Sequence, residues 1–324
     1  MRKNISMKEL LTEWKKFLIE RPVKPDYYPP QFKSIIEKLL SLAEHNWIFF
    51  DTETTGLPDR SGHVPNFVQV TQLAAIAYNT MGLESIPQPV NDGMFNVKII
   101  LLPETESERV RHQDLIDKGE YQGNPEFSIP GLLKMNQYEG GENVPRVNQQ
   151  DGASMFNEYI KKQKAQSPSG KLVFWAHNSP FDAKMTNILY QRGGIESPDI
   201  AIMDSIAIID NYFKTVLRYV QQNPDQMTEE ETRIIDAITL MSRGSKTRPS
   251  RPYLASKLGN VASAFEIDAN SWHEATADIG MTMEVLYKTL EYLRDPMRGG
   301  RFDAKELSVN PKYKYSRKKI WDIN

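Results

Sequence analysis

The sequence predicts an α/β fold in which a sheet is flanked by helices. Three apolar, β-branched segments come first, and their close succession predicts that the sheet begins with antiparallel strands. Two further buried strands then alternate with helices. The chain has 324 residues, of which 40% are hydrophobic, so it can form a sizeable core in one large domain or two smaller ones.

Five segments have the composition of strands. The first is the apolar run WIFF at 47–50, which leads directly into an acidic turn. The second and third, at 67–80 and 95–103, are rich in apolar and β-branched residues. The last two, at 171–178 and 199–205, are short and apolar, as buried strands are.

Amphipathic segments predict eight helices. Prolines separate the first two and cannot continue a helix. The segment at 180–194 has Pro in its first turn and Gly at its end, which is typical of a helix. Residues 104–165 mix short helical patches with Gly and Pro, and we expect an irregular insertion there. The predicted helices are 7–20, 31–45, 151–165, 180–194, 206–222, 228–241, 254–267 and 272–294.

Composition excludes several kinds of site. The chain has no cysteine, so it has neither disulfides nor cysteine-type zinc sites, and a reducing compartment fits this usage. The N-terminal segment is charged and lacks the apolar core of a signal peptide. No window approaches the roughly 18 apolar residues of a membrane span. We expect a cytoplasmic protein that does not enter a membrane. The net charge of −2 gives no overall indication of nucleic-acid binding.

Four acids and one histidine stand at the ends of the predicted elements. Asp51 and Glu53 are two residues apart at the end of a strand, so they point to the same face. Asp182 follows a buried strand and lies in the first turn of a helix. Asp278 lies on a helix, with His273 five residues before it. Each residue alone also has a structural explanation, as a solvated strand end, a first-turn acid favoured by the helix dipole or a capping histidine.

Three short motifs in this order suggest a family. DTETTGL at 51–57, WAHNSPFD at 175–182 and HEATAD at 273–278 resemble the three exonuclease motifs of the DEDDh group of DnaQ-like, ribonuclease-H-like proteins. The His five residues before the last Asp marks the His subgroup; the Tyr subgroup has Tyr where this chain has Glu274. The resemblance covers about residues 46–293.

The resemblance implies a fold and a domain map. The fold is a ribonuclease-H-like mixed five-stranded sheet, three strands antiparallel, flanked by helices, with insertions and extra terminal segments. Residues 46–294 would form the exonuclease domain, with insertions near 104–165 and 210–256. Residues 1–45 would be an N-terminal helical segment and residues 295–324 a basic tail.

The same resemblance implies residue roles in a site with two Mg²⁺ or Mn²⁺ ions, which prefer carboxylate oxygens. Asp51 would bridge both ions, Glu53 and Asp278 would hold one of them, and Asp182 would support the site. His273 would accept the proton of the attacking water near neutral pH. The residues expected to contact the terminal nucleotide are Thr54, Gly56, Leu57 and Asn178.

The function implied is metal-dependent 3′→5′ hydrolysis that releases nucleoside monophosphates from nucleic-acid 3′ ends, with single-stranded DNA favoured. An exoribonuclease of the same fold is an alternative, since nothing in the sequence reports on the 2′-hydroxyl. A proofreading subunit docked on a polymerase or another replication or repair partner is a second. A non-catalytic nucleic-acid-binding module is a third, although such a module has no need of all five residues.

A basic, proline-punctuated loop is predicted at 242–257, just ahead of the helix that carries His273 and Asp278. It contains several bases and no acid, so it suits a strip of phosphate contacts; the alternative is a solvated loop. The tail PKYKYSRKKIW alternates bases and aromatics, which suits single-strand binding by charge and stacking, or else a packed or disordered terminus. The candidate phosphate contacts in the loop are Arg243, Lys246, Arg248 and Arg251.

Overall fold

The structure is a computed structural model. The predicted helix at 7–20, the predicted helix at 31–45 apart from its last residue, and the basic tail at 295–324 lie outside the residues it describes. The described residues are 45–57, 68–80, 85–102, 106–120, 144–198, 200, 202–206, 208–209, 212–213, 216, 227–244, 252–254, 257–268 and 274–294.

The described residues form a mixed sheet of six strands in the order β4-β3-β2-β1-β5-β6. The pairs β1–β2 and β2–β3 are antiparallel, and the pairs β3–β4, β1–β5 and β5–β6 are parallel. The strands are β1 (Asn46–Thr54), β2 (Val70–Asn79), β3 (Gln88–Ile99), β4 (Arg146–Val147), β5 (Leu172–Ala176) and β6 (Ile202–Asp204).

The predicted α/β architecture and its antiparallel start are confirmed, but the expected count of five strands is wrong. The additional strand is β4, which pairs only with the last two residues of β3. A two-residue strand has no periodicity of its own and lies inside a stretch predicted to be irregular. Its pairing therefore depends on tertiary contacts that the local sequence does not report.

Helices lie on both faces of this sheet. The predicted helix at 151–165 is confirmed as part of α2 (Gln149–Gln166). The helix α3 (Ser179–Gly193) has Pro180 in its first turn and Gly194 as its C-cap, where a φ of 67° suits glycine. The helices with defined bounds are α1 (Glu106–Asp117), α2 (Gln149–Gln166), α3 (Ser179–Gly193), α4 (Glu229–Met241), α5 (Leu258–Ala264) and α6 (Ala275–Arg294).

The core has two layers because side chains alternate between the faces of each strand. On one face, Trp47 and Phe49 pack with Trp175 against α5 and α6. On the other face, Phe50 packs against Phe156 of α2. Asp51 and Glu53 continue the alternation of Trp47 and Phe49, so both acids extend the face that α6 covers.

The sequence predicts a loop at 242–257, but this basic segment contains two short strands. Its ends form a second, two-stranded antiparallel sheet made of β7 (Ser242–Gly244) and β8 (Pro252–Leu254), in which Arg243 is paired with Tyr253. Residues 245–251 lie outside the described part of the chain. Among the described residues, none of the helices combines the length and the apolar character that crossing a membrane requires.

Candidate metal centre

Three carboxylates converge at the end of β1. Asp51 and Glu53 come from β1, and Asp278 comes from the first turn of α6, which packs across β1 and β2. One oxygen from each of the three lies within 4.8 Å of the others. The group is therefore compact enough to surround one cation, and it supplies only oxygen ligands, which hard divalent ions prefer.

The burial of α6 on the sheet fixes the position of Asp278. Ala275, Ile279 and Leu286 are almost completely buried on one side of the helix, and Asp278 lies beside Ala275 and Ile279 with an exposed fraction of 8%. The apolar stripe thus directs the carboxylate toward the strand end. Replacing any of these apolar residues by a smaller one would loosen the packing that brings Asp278 to β1.

Burial and mutual repulsion raise the pKa values of the two strand acids. Burial raises the pKa of Asp51 well above its usual range, and the charges of Asp182 and then Glu53 add to this rise. Burial, then the charges of Asp278 and Asp182, raises the pKa of Glu53 to about 8. The cluster thus retains protons near neutral pH, and a bound cation would replace them.

Asp182 lies close enough to Asp51 and Glu53 for its charge to raise the pKa of both, and it contacts β1 through Thr52. Its Oδ1 accepts the backbone N–H of Thr52 at 3.0 Å and the Thr52 hydroxyl at 2.8 Å. Burial raises the pKa of Asp182 to about 7, the two hydrogen bonds from Thr52 oppose that rise, and the charge of Asp204 adds to it. Its carboxylate is separate from the compact group of three.

His273, the predicted general base, lies outside the described residues, whereas its neighbour Glu274 is a fifth acid beside the cluster. Glu274 accepts hydrogen bonds from the N–H of Ala277 at 2.9 Å and from the hydroxyl of Thr276, so it caps the start of α6. Burial pushes the pKa of Glu274 upward, but bonds from Thr276, Ala277 and Gln72 outweigh it and lower the pKa.

Gln72 of β2 ties this cap to the sheet. Its Nε2 donates to Glu274 Oε1 at 3.3 Å and to Asn96 Oδ1 at 2.9 Å. Sequence reasoning did not assign either Gln72 or Glu274 to the site. A weak signal was present for Glu274, since the helix dipole favours an acid at the start of a helix. No local signal marks Gln72, because its partners Asn96 and Glu274 are far from it in sequence.

The last residue of β1 and the turn that follows it contain three of the predicted nucleotide contacts. The Thr54 hydroxyl donates to the Gly56 carbonyl at 2.8 Å, which closes the turn. Gly56 is buried, and Leu57 is 47% exposed. An exposed leucine directly after a buried turn is available for apolar contact, whereas the hydroxyl of Thr54 is already engaged within the turn.

Asn178 occupies a left-handed turn between β5 and α3, with φ at 73°. Its backbone N–H donates to Asp204 Oδ1 at 3.1 Å, and the same oxygen accepts the N–H of Ile206 at 3.1 Å. The Asn178 side chain does not cap α3 and is exposed. Asp204 was missed from sequence because it reaches this turn from the neighbouring strand β6.

The structure describes no side-chain position for the four basic residues predicted to bind phosphate. Arg243 belongs to β7 by its backbone, and Lys246, Arg248 and Arg251 lie outside the described residues. Of the predicted site residues, the structure thus brings together Asp51, Glu53 and Asp278, with Asp182 adjacent to them.

Comparison with known proteins assigns no family to this chain. A scan of protein-family models finds none that matches the chain, and no curated protein matches its sequence. The acids at the end of β1 and the order of the three motifs are therefore the basis for assigning a function.

Proposed function

We propose that this protein is a metal-dependent 3′→5′ exonuclease that releases nucleoside monophosphates from single-stranded DNA ends. The observation that carries the proposal is the convergence of Asp51, Glu53 and Asp278, whose carboxylate oxygens lie within 4.8 Å of one another. These acids come from two of the three motifs that resemble those of DEDDh exonucleases. The strand order β3-β2-β1-β5-β6 supports a ribonuclease-H-like fold as part of the same proposal.

The donor set fits Mg²⁺ or Mn²⁺. All three ligands are carboxylates. Burial, then the neighbouring negative charges, raises the pKa of Glu53 to about 8, and a divalent cation would favour the ionised form against both. Asp51, Glu53 and Asp278 would hold one ion, and Asp51 together with Asp182 would hold a second. When bound, two such ions stabilise the attacking and leaving oxygens of a phosphodiester during an in-line displacement.

The chain's own residues supply positioning and proton transfer. The exposed side chain of Leu57 offers an apolar surface for the terminal base, and Asn178 presents an exposed amide at the start of α3. His273 accepts a proton from the attacking water at an imidazole nitrogen, since its ordinary pKa lies near neutrality. The proton then passes to solvent, so that the imidazole is neutral again for the next cleavage.

The test is a time course on end-labelled single strands of DNA and RNA in Mg²⁺ and in excess chelator. We expect a 5′-labelled DNA strand to shorten stepwise, and a 3′-terminal label to be released as a mononucleotide, only when Mg²⁺ is present. Faster loss of RNA would favour the exoribonuclease, and internal cuts would contradict the proposed direction. Full activity in chelator would exclude the mechanism.

A matched pair of variants separates the site from general effects of charge. Asp51→Asn removes one member of the triad and should abolish cleavage. Asp114→Asn removes an exposed acid of α1 that pairs with Lys118 four residues later, and it should cleave like the unmodified protein. Equal activity in both variants would show that the triad is not the catalytic centre.

A further inference from the structure

Four neighbouring strands place one residue each in a row that begins at the candidate metal centre. Glu53 of β1 lies opposite Gln72 of β2, and Gln72 lies opposite Lys98 of β3. Lys98 in turn lies opposite Arg146 of β4. Paired residues on adjacent strands point to the same face of a sheet. The row therefore runs from acids at the centre of the sheet to two bases at its edge.

Residues on the other face of the sheet confirm the side to which the two bases point. Ile99 and Val147, the residues that follow the two bases, pack in the core on the side of α2. Because side chains alternate along a strand, Lys98 and Arg146 point to the opposite side, which is the side of Asp51 and Glu53.

This side of the sheet is open near β3. Met94 points to it and is 64% exposed, although its partner on β2, Ile76, is only 6% exposed. Among the described residues, solvent therefore reaches this side of β3 at Met94, whereas its neighbour on β2 is covered. Lys98 is half-buried and Arg146 is exposed, so both cationic groups lie on an accessible surface.

The two bases are too far from the acids to belong to the same site. Adjacent strands are about 4.8 Å apart, so Lys98 lies about 10 Å and Arg146 about 14 Å from β1. Gln72 lies between them and the acids, with its amide bonded to Asn96 and Glu274. Along the row, the candidate metal centre is thus followed by a neutral amide and then by two positive charges.

We propose that Lys98 and Arg146 bind phosphates of the substrate strand upstream of the terminal phosphodiester, so that the strand leaves the metal centre across β2 and β3 toward β4. This proposal rests on the proposed function. A polyanion anchored by its 3′ end at the metal centre meets these charges in sequence. The guanidinium of Arg146 can engage a phosphate with two N–H groups, and the ammonium of Lys98 acts as a point charge.

The test compares two double variants that remove the same charge. Lys98→Gln with Arg146→Gln removes the row, and Lys161→Gln with Lys164→Gln removes two exposed bases of α2, on the other side of the sheet. Cleavage of labelled single strands from dinucleotide to octanucleotide is measured in Mg²⁺ across a salt series.

The KM of the row variant should exceed that of the unmodified protein by a factor that grows with strand length. This factor should be roughly tenfold for the octanucleotide and smallest for the dinucleotide, which has a single phosphodiester. The slope of log(kcat/KM) against log salt should become shallower by about 1.4, because each phosphate that is no longer neutralised reduces it by about 0.7. The α2 variant should match the unmodified protein. Equal KM values for both double variants on the octanucleotide would overturn the proposal.

A binding measurement keeps this inference separate from the proposed function. If the unmodified protein cleaves nothing, the exonuclease proposal fails, and the row is then tested by fluorescence anisotropy of a labelled octanucleotide with Ca²⁺ in place of Mg²⁺. Weaker binding of the row variant than of the α2 variant would support the strand path. Identical binding would overturn it and leave an acidic protein surface as the better partner for the two bases.

Discussion

Thr52 donates two hydrogen bonds to one carboxylate oxygen of Asp182, from its backbone N–H at 3.0 Å and from its hydroxyl at 2.8 Å. Thr52 stands between Asp51 and Glu53 on β1, and its side chain points to the other face. The contact therefore joins the first turn of α3 to the strand that carries two of the three clustered acids, and it stabilises the ionised form of Asp182.

Thr52→Val removes the hydroxyl donor and keeps the backbone donor. The pKa of Asp182, about 7 in the unmodified protein, should rise, because the ionised form loses a hydrogen bond. Above about pH 8 the carboxylate is charged, and the variant should lose about 1.5–3 kcal/mol of unfolding free energy. Near pH 5.5 the group is protonated and the loss should be smaller. Denaturant unfolding in chelator at both pH values measures the difference.

Thr186→Val is the control for this comparison. Thr186 is buried like Thr52 and lies on α3, the helix of Asp182, but its hydroxyl has no hydrogen-bond partner among the described residues. Its replacement should change stability equally at both pH values. If Thr52→Val likewise shows the same loss at high and low pH, the hydrogen bond does not control the ionisation of Asp182.

The pH dependence of stability should reflect the whole acid cluster. Unfolded Glu53 and Asp182 titrate near 4.5 and 3.8, and folding raises their pKa values to about 8 and about 7. Between these limits the folded protein holds more protons than the unfolded one. The free energy of unfolding of the metal-free protein should therefore fall as pH rises from about 4 to about 8.

Thermal unfolding in chelator and in Mg²⁺ measures this effect. The melting temperature in chelator should be lower at about pH 8.5 than at about pH 5, and Mg²⁺ should raise it more at the higher pH, where protons no longer compete. Glu53→Gln should flatten the profile in chelator. A variant profile as steep as that of the unmodified protein would mean that the cluster does not govern the pH dependence.

The sequence predicted the acids of the site more fully than their surroundings. Strand alternation was enough to put Asp51 and Glu53 on one face, and the Pro and Gly positions were enough to bound α3. These are local patterns, and each depends on a few consecutive residues. The convergence of Asp278 on that face needed the resemblance to a family, because nothing local reports where a distant helix packs.

Features that depend on strand register were not predictable. The row formed by Gln72, Lys98 and Arg146 exists because three pairings have matching registers, and a shift of one residue would move a base to the other face. The strand β4 has only two residues, and Asp204 reaches the Asn178 turn from the neighbouring strand. In each case the partner is far away in sequence.

His273→Ala tests the assigned general base. Loss of a general base typically lowers the rate by about 10²–10⁴-fold, so kcat should fall on that scale while Mg²⁺ binding, measured by calorimetry, should be retained. His177→Ala is the control, since the Nδ1 of His177 lies 3.0 Å from the hydroxyl of Ser205 in a local contact. Unchanged kcat in His273→Ala would assign proton transfer to another group.

Glu274 should determine how well the metal centre is formed, because it joins the start of α6 to β2. Glu274→Ala removes the acceptor for the N–H of Ala277 and for the amide of Gln72. Loss of a helix cap costs about 1 kcal/mol, and the first turn of α6, which carries Asp278, should loosen. Mg²⁺ affinity, measured by calorimetry, should fall.

Two further variants separate the loss of the cap from the loss of charge. Glu274→Gln removes the same charge but keeps an oxygen that can accept the N–H of Ala277, so it should bind Mg²⁺ more tightly than Glu274→Ala. Asn148→Ala removes the cap of α2, where the Asn148 side chain accepts the N–H of Asp151 at 2.8 Å, and it should reduce stability without affecting Mg²⁺ binding. If Glu274→Ala and Glu274→Gln bind Mg²⁺ equally, only the charge of Glu274 matters, and the position of Asp278 is set by the buried face of α6 alone.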